Sequence, residues 1–168
     1  MSLLDNMLSP LPGTESKNAP AYLEPLLRRD FVSALPQLKA AMNLDDASAM
    51  GFYGAMCVMG HGVAKDPDEG VLWFRQAAVR GNPLCAATFG MCLALGFSVE
   101  KNEREAAYWL FQASKERVVP AMELLCDMVM RNYSLVGEHF TEDELCEISL
   151  DLKRIYKAQQ PPASKSVH

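Results

Sequence analysis

Nucleophilic or acid–base chemistry in this 168-residue chain would have to come from its five cysteines and three histidines. A cysteine attacks a substrate only as the thiolate, which requires a neighbouring base or positive charge. His61 lies in a Gly-His-Gly turn, His139 lies ahead of the last helix, and His168 is the last residue of the sequence. Nothing in the local sequence would activate a cysteine, so we predict no catalytic residues and no enzymatic activity. A hydrolase or a thiol enzyme in a helical fold is the less favoured alternative.

The cysteine spacing matches no metal-binding pattern, because structural zinc sites use paired Cys or His at short spacing and no Cys-x-x-Cys pair is present. The turn from Gly60 to Gly62 is too short and too poor in lysine to be a phosphate-binding loop. We therefore predict no metal and no cofactor. Each cysteine falls in an apolar, periodic stretch, which predicts free, buried thiols in a reducing cytoplasm. The five are Cys57, Cys85, Cys92, Cys126 and Cys146.

Acidic residues are concentrated near the end of the chain, at Glu142, Asp143, Glu144 and Glu147. Two interpretations of this cluster are open. It would bind a basic partner, or its acids would offset the partial positive charge at a helix N-terminus. We favour the helix-start interpretation.

The composition argues against several classes of protein. Net charge is −5, and no basic cluster is longer than Arg28-Arg29 or Lys153-Arg154, whereas phosphate binding needs a basic stripe. No apolar run is long enough to cross a bilayer, and the first 20 residues show no secretory signal. We predict a cytoplasmic, single-domain protein that binds neither nucleic acid nor a membrane.

The elements that position these residues repeat along the chain. Two segments match in one register at an offset of 36 residues, with glycines at equivalent turns and a tryptophan in each copy. Seven identities in one register indicate a tandem repeat. The matched pairs are Gly54 with Gly90, Gly60 with Gly96, Val63 with Val99, Lys65 with Lys101, Trp73 with Trp109, Gln76 with Gln112 and Ala77 with Ala113.

The residue pattern of each repeat unit predicts two helices. The first runs from about Asp46 to Met59 and is apolar on most of its circumference. It ends at Gly60, since glycine readily takes the left-handed conformation that closes a helix. The second begins at Asp66, which caps the helix and is followed by a proline at the first position and an acid at the third. The next copy repeats this start at Asn102.

Degenerate units flank the two clear copies, as expected where a terminal repeat presents one face to water. Residues 31–44 align with a second helix, and residues 120–131 resemble a first helix. A capping box at Thr141 opens a final helix that runs to about Gln159. The repeat pattern therefore predicts about three and a half helix pairs.

We predict one repeat domain over residues 21–159, with the best repeats at 46–81 and 82–117. Residues 1–20 and 160–168 contain proline and serine and are predicted to be mobile.

The motif of the two best copies resembles the Sel-1-like repeat, a helical solenoid unit related to the tetratricopeptide repeat. It consists of an apolar helix ending in Gly-x-Gly-Val, an acidic cap, a tryptophan and an Ala-Ala-x-x-Gly end. The second copy has Ser98 and Arg117 where the first has Gly62 and Gly81, so we expect less regular turns after the second unit. The first copy carries the motif at Gly60, Gly62, Val63, Asp66, Trp73, Ala77, Ala78 and Gly81.

The resemblance implies an all-α, right-handed solenoid of helical hairpins with degenerate terminal caps, whose first helices line a concave surface. Members of the family act as adaptors and scaffolds and are not enzymes in themselves. Methionines are frequent on the first helices here. Methionine is an adaptable core filler, which is the favoured interpretation at any one site, and it is also over-used on protein-binding surfaces. Positions related by the 36-residue offset form the candidate partner-binding face, which changes from apolar to charged along the solenoid: Phe52, Thr88 and Leu124; Ala55, Met91 and Asp127; Met59, Leu95 and Arg131.

The expected function is therefore binding of another protein, and two forms of it are open. One is an immunity protein that neutralises a bacterial toxin or effector, which suits the size, acidity and cytoplasmic character of the chain. The other is an adaptor, scaffold or co-chaperone that holds a segment of a larger complex. The sequence alone determines neither the partner nor the oligomeric state.

Overall fold

In the computed structural model, residues 19–135 and 139–159 are described, and they form eight α-helices joined by short turns. No strand occurs in these two ranges. A short 3₁₀ helix, Tyr133–Leu135, lies between the last two helices. The helices are α1 (Leu23–Leu27), α2 (Phe31–Met42), α3 (Ala47–Met59), α4 (Pro67–Val79), α5 (Pro83–Leu95), α6 (Glu103–Lys115), α7 (Val119–Arg131) and α8 (Glu142–Gln159).

Side-chain caps determine where most of these helices begin. Asp66 and Asn102 each accept the backbone N–H of the residue three positions later, at 3.0 and 3.1 Å, and so start α4 and α6. Asn82 starts α5 in the same way. Thr141 and Glu144 form the reciprocal capping box of α8. Each cap satisfies an N–H group that has no partner within its helix, and the predicted helix starts are confirmed.

Left-handed backbone conformations end the second helices at the same position of successive units. Asp45, Gly81 and Arg117 follow α2, α4 and α6 with φ of 61°, 86° and 57°. Ser98, in the turn after α5, has φ of 53° where Gly62 has 71°. The expectation of less regular turns is therefore wrong, because Ser98 and Arg117 adopt the glycine conformation at a cost of roughly 1–2 kcal/mol each.

Successive helices pack side by side as hairpins, α3 with α4, α5 with α6 and α7 with α8. Each hairpin contacts the next one through α4 and α5, and then through α6 and α7. Helix α2 adds a half pair ahead of α3, which matches the predicted three and a half pairs. The architecture is the predicted all-α solenoid of helical hairpins.

The first helices supply much of the core. Helices α3 and α5 each bury eight residues, distributed round nearly the whole circumference. Small residues permit close contact between helices: a Cβ added to Gly54 would lie 2.9 Å from the carbonyl oxygen of Gly70 on α4. Because full burial of a large apolar side chain contributes roughly 1.5–3 kcal/mol, packing of α3 and α5 stabilises the units more than local helix propensity does.

Helix α1 and the residue before it close the N-terminal end of the core, and the sequence analysis did not predict this element. Tyr22 and Leu26 are buried. The Tyr22 hydroxyl donates a hydrogen bond to the Asp46 carboxylate at 2.9 Å, and the Tyr22 ring centroid lies 5.9 Å from that of Phe52. Burial, with the Asp46 carboxylate beside it, raises the pKa of Tyr22 well above its usual value. A five-residue helix shows too little periodicity to be recognised from sequence.

All eight helices fall within the predicted domain, residues 21–159. The segments predicted to be mobile, 1–20 and 160–168, lie outside the described residues except for residues 19 and 20. In the part of the chain that is described, no helix has the length and apolar character needed to span a membrane.

Candidate protein-binding surface

The nine predicted binding residues lie on the first helices α3, α5 and α7 and divide into buried and exposed members. Phe52, which is 2% exposed, and Ala55 are buried in the core. Thr88 is also buried, and its hydroxyl donates to the Leu84 carbonyl oxygen at 2.8 Å. These three side chains pack against neighbouring helices and present almost no surface to a partner. The other six reach the surface: Met59, Met91, Leu95, Leu124, Asp127 and Arg131.

We call these six residues the first-helix face. Leu95, at the C-terminal end of α5, is 77% exposed. Met59, Met91 and Leu124 are half-buried and pack against the core with part of their surface. Helices α5 and α7 contact each other directly, so the members of the face on these two units lie on neighbouring helices.

The polar end of the first-helix face lies on α7. Asp127 and Arg131 are one helical turn apart, and the Arg131 Nη2 atom lies 2.5 Å from the Asp127 carboxylate. Both side chains are exposed, so this pair contributes only about 0.2–1 kcal/mol to stability. Such a weak intrahelical pair leaves both groups available to a partner.

The two tryptophans pack between helices at equivalent places in successive units. Each ring lies edge-on to an aromatic residue of the first helix in its own unit, with centroids 5.6 and 5.7 Å apart. Each indole N–H donates to the third-position acid of its own helix, at 3.2 and 3.4 Å. These contacts make both tryptophans packing residues within their own units. The groups are Trp73 with Tyr53 and Glu69, and Trp109 with Phe89 and Glu105.

The histidines make ring contacts. His61 stacks on Phe31 with the ring centroids 4.8 Å apart, and its buried Nδ1 has no hydrogen-bond partner among the described residues. His139 lies edge-on to Tyr108 at 5.3 Å. His168 lies outside the described residues.

Four of the thiols are held in the protonated form by burial. Burial raises the pKa of Cys85 to about 12 and that of Cys92 to about 11. It also raises the pKa of Cys57 and Cys126. Because the thiolate is the nucleophile, these four side chains are poor nucleophiles at neutral pH.

The prediction of five buried thiols is confirmed for three cysteines. Cys126 is half-buried and Cys146 is exposed, so the prediction is wrong for Cys146. Helix α8 buries Ile148, and Cys146 lies two positions earlier, about 200° round the helix. That position faces solvent. All five cysteines are free.

The acidic cluster lies at the N-terminus of α8, where one of its members caps the helix. Glu144 accepts the backbone N–H of Thr141 at 2.8 Å, and this bond lowers the pKa of Glu144. Glu142 accepts a hydrogen bond from the Tyr133 hydroxyl. The helix-start interpretation is therefore confirmed for Glu144. In residues 19–135 and 139–159, no group of three or more His, Cys, Asp or Glu side chains is placed to hold a metal ion.

Two grooves between successive units were not predicted from the sequence. Each lies between neighbouring second helices and is floored by the first helix between them. The first groove, between α2 and α4, encloses about 420 Å³, and the second groove, between α4 and α6, encloses about 470 Å³. Trp73 lines the first and Trp109 the second. The repeat register relates their linings, but only the packing of three helices shows that a groove exists.

Comparison with known proteins identifies the repeat. The model of the Sel1 repeat matches residues 47–82 and 86–117. The crystal structure of a Sel1 repeat protein from Oxalobacter formigenes is similar with a TM-score of 0.67 and 23% identity, over 83% of this chain and 40% of that one. The crystal structure of c5321, a protective antigen present in uropathogenic Escherichia coli strains that displays an SLR fold, is similar with a TM-score of 0.56 and 18% identity, over 83% of this chain and 31% of that one. No curated protein matches the sequence.

These findings confirm the resemblance to the Sel-1-like repeat and the right-handed solenoid of helical hairpins. At these identities, the two solved structures establish the fold alone. This chain spans 40% of the length of the first structure and 31% of the second.

Proposed function

Because this chain carries Sel1 repeats, we propose that it is a non-catalytic module that binds another protein through the first-helix face. Sel1 repeat proteins generally mediate protein–protein interactions. The observation that carries the proposal is the exposure of Leu95. Its apolar side chain is 77% exposed at the end of α5, a helix that is otherwise largely buried.

The first-helix face has the composition of a protein interface. Leu95 and the half-buried Met91, one turn earlier on α5, supply apolar surface, and Met59 occupies the position on α3 that is equivalent to Leu95. Methionine adapts its shape to a partner. Asp127 and Arg131 supply exposed charged groups on the neighbouring helix α7. An apolar centre with a polar rim is the usual arrangement of protein–protein interfaces.

The non-catalytic part of the proposal is supported by the chemistry of the thiols. Burial raises the pKa of four of the five, so none of these four is the activated thiolate that a thiol enzyme needs. A cytoplasmic location is also part of the proposal. It is supported by the five free cysteines, which are typical of proteins in reducing compartments.

Two matched leucine variants test the proposed face. Leu95→Asp places a charge in the first-helix face, and Leu44→Asp places one in the turn after α2, where the leucine is 84% exposed. We expect tagged wild type and Leu44→Asp to capture the same stoichiometric partner from the source cells, as measured by quantitative mass spectrometry and gel filtration. Leu95→Asp should capture at least tenfold less. Equal capture by both variants would place the interface elsewhere.

The identity of the captured partner then distinguishes an immunity protein from an adaptor, scaffold or co-chaperone. If it is a toxin, co-expression with the wild type should restore growth of cells that produce it, and Leu95→Asp should fail to do so. This result would support an immunity protein. A partner that is a subunit of a larger complex would support an adaptor, scaffold or co-chaperone.

A further inference from the structure

Ion pairs link successive units at two of the three unit junctions. At the first groove, Arg80 at the end of α4 crosses to Asp45, with its Nε and Nη2 atoms 3.0 and 2.9 Å from Asp45 Oδ1. At the last junction, Arg117 after α6 lies 3.4 Å from Asp151 of α8. In both cases one partner is the left-handed residue that follows a second helix.

The second groove, between these two junctions, has no such pair. The residues equivalent to Asp45 and Arg80 are Gly81 and Glu116. Gly81 has no side chain, and a Cβ added there would meet nothing within 4 Å, so this rim of the groove is open. Within the described part of the chain, no ion pair or hydrogen bond reaches the Glu116 carboxylate.

Glu116 is an exposed carboxylate at a position where the helix dipole favours a positive charge. It caps the C-terminus of α6, where the backbone carbonyl groups already place partial negative charge. Arg80, at the equivalent position of α4, has the favourable charge. Lys115 lines the same groove, but its Nζ lies 4.5 Å from the Phe111 ring centroid and 3.4 Å from Gln112 Oε1. A local preference that is broken without compensation within the chain is expected at functional sites.

The rest of the second groove suits an extended peptide. Its apolar lining comes from Val79, which is exposed, and from Ala86 and Trp109. The amide side chain of Gln112 also lines it, and its N–H groups can donate to a peptide carbonyl. Asn82 lines the groove too, but its side chain caps α5 and donates to the Ser48 hydroxyl. Grooves that combine aromatic and apolar walls with a few polar groups are typical peptide-binding sites.

We propose that the second groove binds an extended segment of a partner protein in which an arginine or lysine stands beside an apolar residue. The cation lies over Gly81 and pairs with Glu116, and the apolar side chain packs against Val79 and Trp109. Ala86, on the floor of the groove, is nine positions before Leu95, which places the two about 180° apart round α5. The second groove is therefore a surface separate from the first-helix face.

The chain offers an internal control for a binding experiment, because its two tryptophans occupy equivalent places in the two grooves. The probe is an octapeptide of glycine and serine with a central Leu-Arg pair, and its matched partner has Leu-Glu instead. In ¹H–¹⁵N spectra of the full chain, we expect the Leu-Arg peptide to shift the Trp109 indole signal in a saturable way. The Trp73 signal should not move, and the Leu-Glu peptide should bind at least tenfold more weakly.

A double variant gives the second groove the ion pair that the first groove has. Gly81→Asp with Glu116→Arg installs the Asp45–Arg80 pair one unit later, and Asp45 shows that aspartate is accommodated at this left-handed position. We expect the Trp109 shift to be lost in this variant. Glu123→Arg changes the same type of charge on α7 and should leave the shift unchanged, as should Leu95→Asp.

Three results would overturn the proposal. The first is equal binding of the Leu-Arg and Leu-Glu peptides, and the second is an equal response of Trp73 and Trp109. The third is a shift of the Trp109 signal on removal of residues 160–168 without any peptide, since the chain's own C-terminal segment would then occupy the groove. Failure of partner capture by the first-helix face would leave this measurement unaffected.

Discussion

At the scale of single residues, the left-handed backbone positions decide the geometry of the turns. Gly62 and Gly81 both have positive φ, but their surroundings differ. A Cβ added to Gly62 would lie 2.7 Å from the Phe31 Cβ, whereas a Cβ added to Gly81 would meet nothing within 4 Å. Substitution at Gly81 therefore measures the cost of the backbone conformation alone, and substitution at Gly62 adds the contact between α2 and the turn.

We expect Gly81→Ala to lower the free energy of unfolding by about 1 kcal/mol and Gly62→Ala by more than about 2 kcal/mol, because only the second creates a steric clash. Ser98→Gly should instead raise it by up to about 1 kcal/mol, since it relieves the strain at φ of 53°. Urea unfolding followed by circular dichroism measures all three. Equal losses at Gly62 and Gly81 would show that α2 does not press against the turn.

At the scale of the helices, the capping side chains differ in the number of hydrogen bonds that they accept. The Asp46 carboxylate accepts the backbone N–H groups of Ser48 and Ala49 at 2.8 and 3.1 Å, and the Tyr22 hydroxyl at 2.9 Å. The exposed Asp66 accepts one backbone N–H at 3.0 Å. Asp46 therefore both starts α3 and attaches the segment before α1 to the first repeat.

We expect Asp46→Ala to destabilise the protein by about 2 kcal/mol and Asp66→Ala by about 1 kcal/mol, the upper and middle of the range for lost caps. Chemical denaturation measures both values. Tyr22→Phe serves as the control that removes only the hydroxyl, and its loss should be smaller than that of Asp46→Ala. A larger loss for Asp66→Ala than for Asp46→Ala would contradict the ranking.

At the scale of the whole molecule, the core is unevenly distributed along the solenoid. Helices α3 and α5 bury eight residues each, whereas the 18-residue α8 buries Ile148 alone. In a repeat protein each unit is stabilised by its neighbours, and α8 has a neighbour on one side only among the described helices. The C-terminal end of the solenoid is therefore the part that opens most easily.

Hydrogen exchange measured by mass spectrometry should show the slowest exchange in α3 to α6 and the fastest in α8. Ile148→Ala should speed exchange in α8 by roughly 30-fold, which corresponds to a loss of about 2 kcal/mol, and should leave α3 to α6 unchanged. Leu150→Ala, at an exposed position of α8, is the matched control and should have little effect. Equal protection along the whole chain would contradict this gradient.

The sequence by itself determined the local features of this protein. The 36-residue register, the caps at Asp66 and Asn102, the glycine end at Gly60 and the capping box at Thr141 were all predicted and are present. Each depends on contacts within about one helical turn, so a short stretch of residue types is sufficient to specify it.

Only the tertiary structure decided which side chains reach solvent. It buried Phe52 beneath the ring of Tyr22, 30 positions earlier, and exposed Leu95 and Cys146. It also formed the second groove from three separate helices and left Glu116 without a partner among the described residues. Exposure is set by groups that are distant in sequence and close in space, so residue types and spacing along one helix do not specify it.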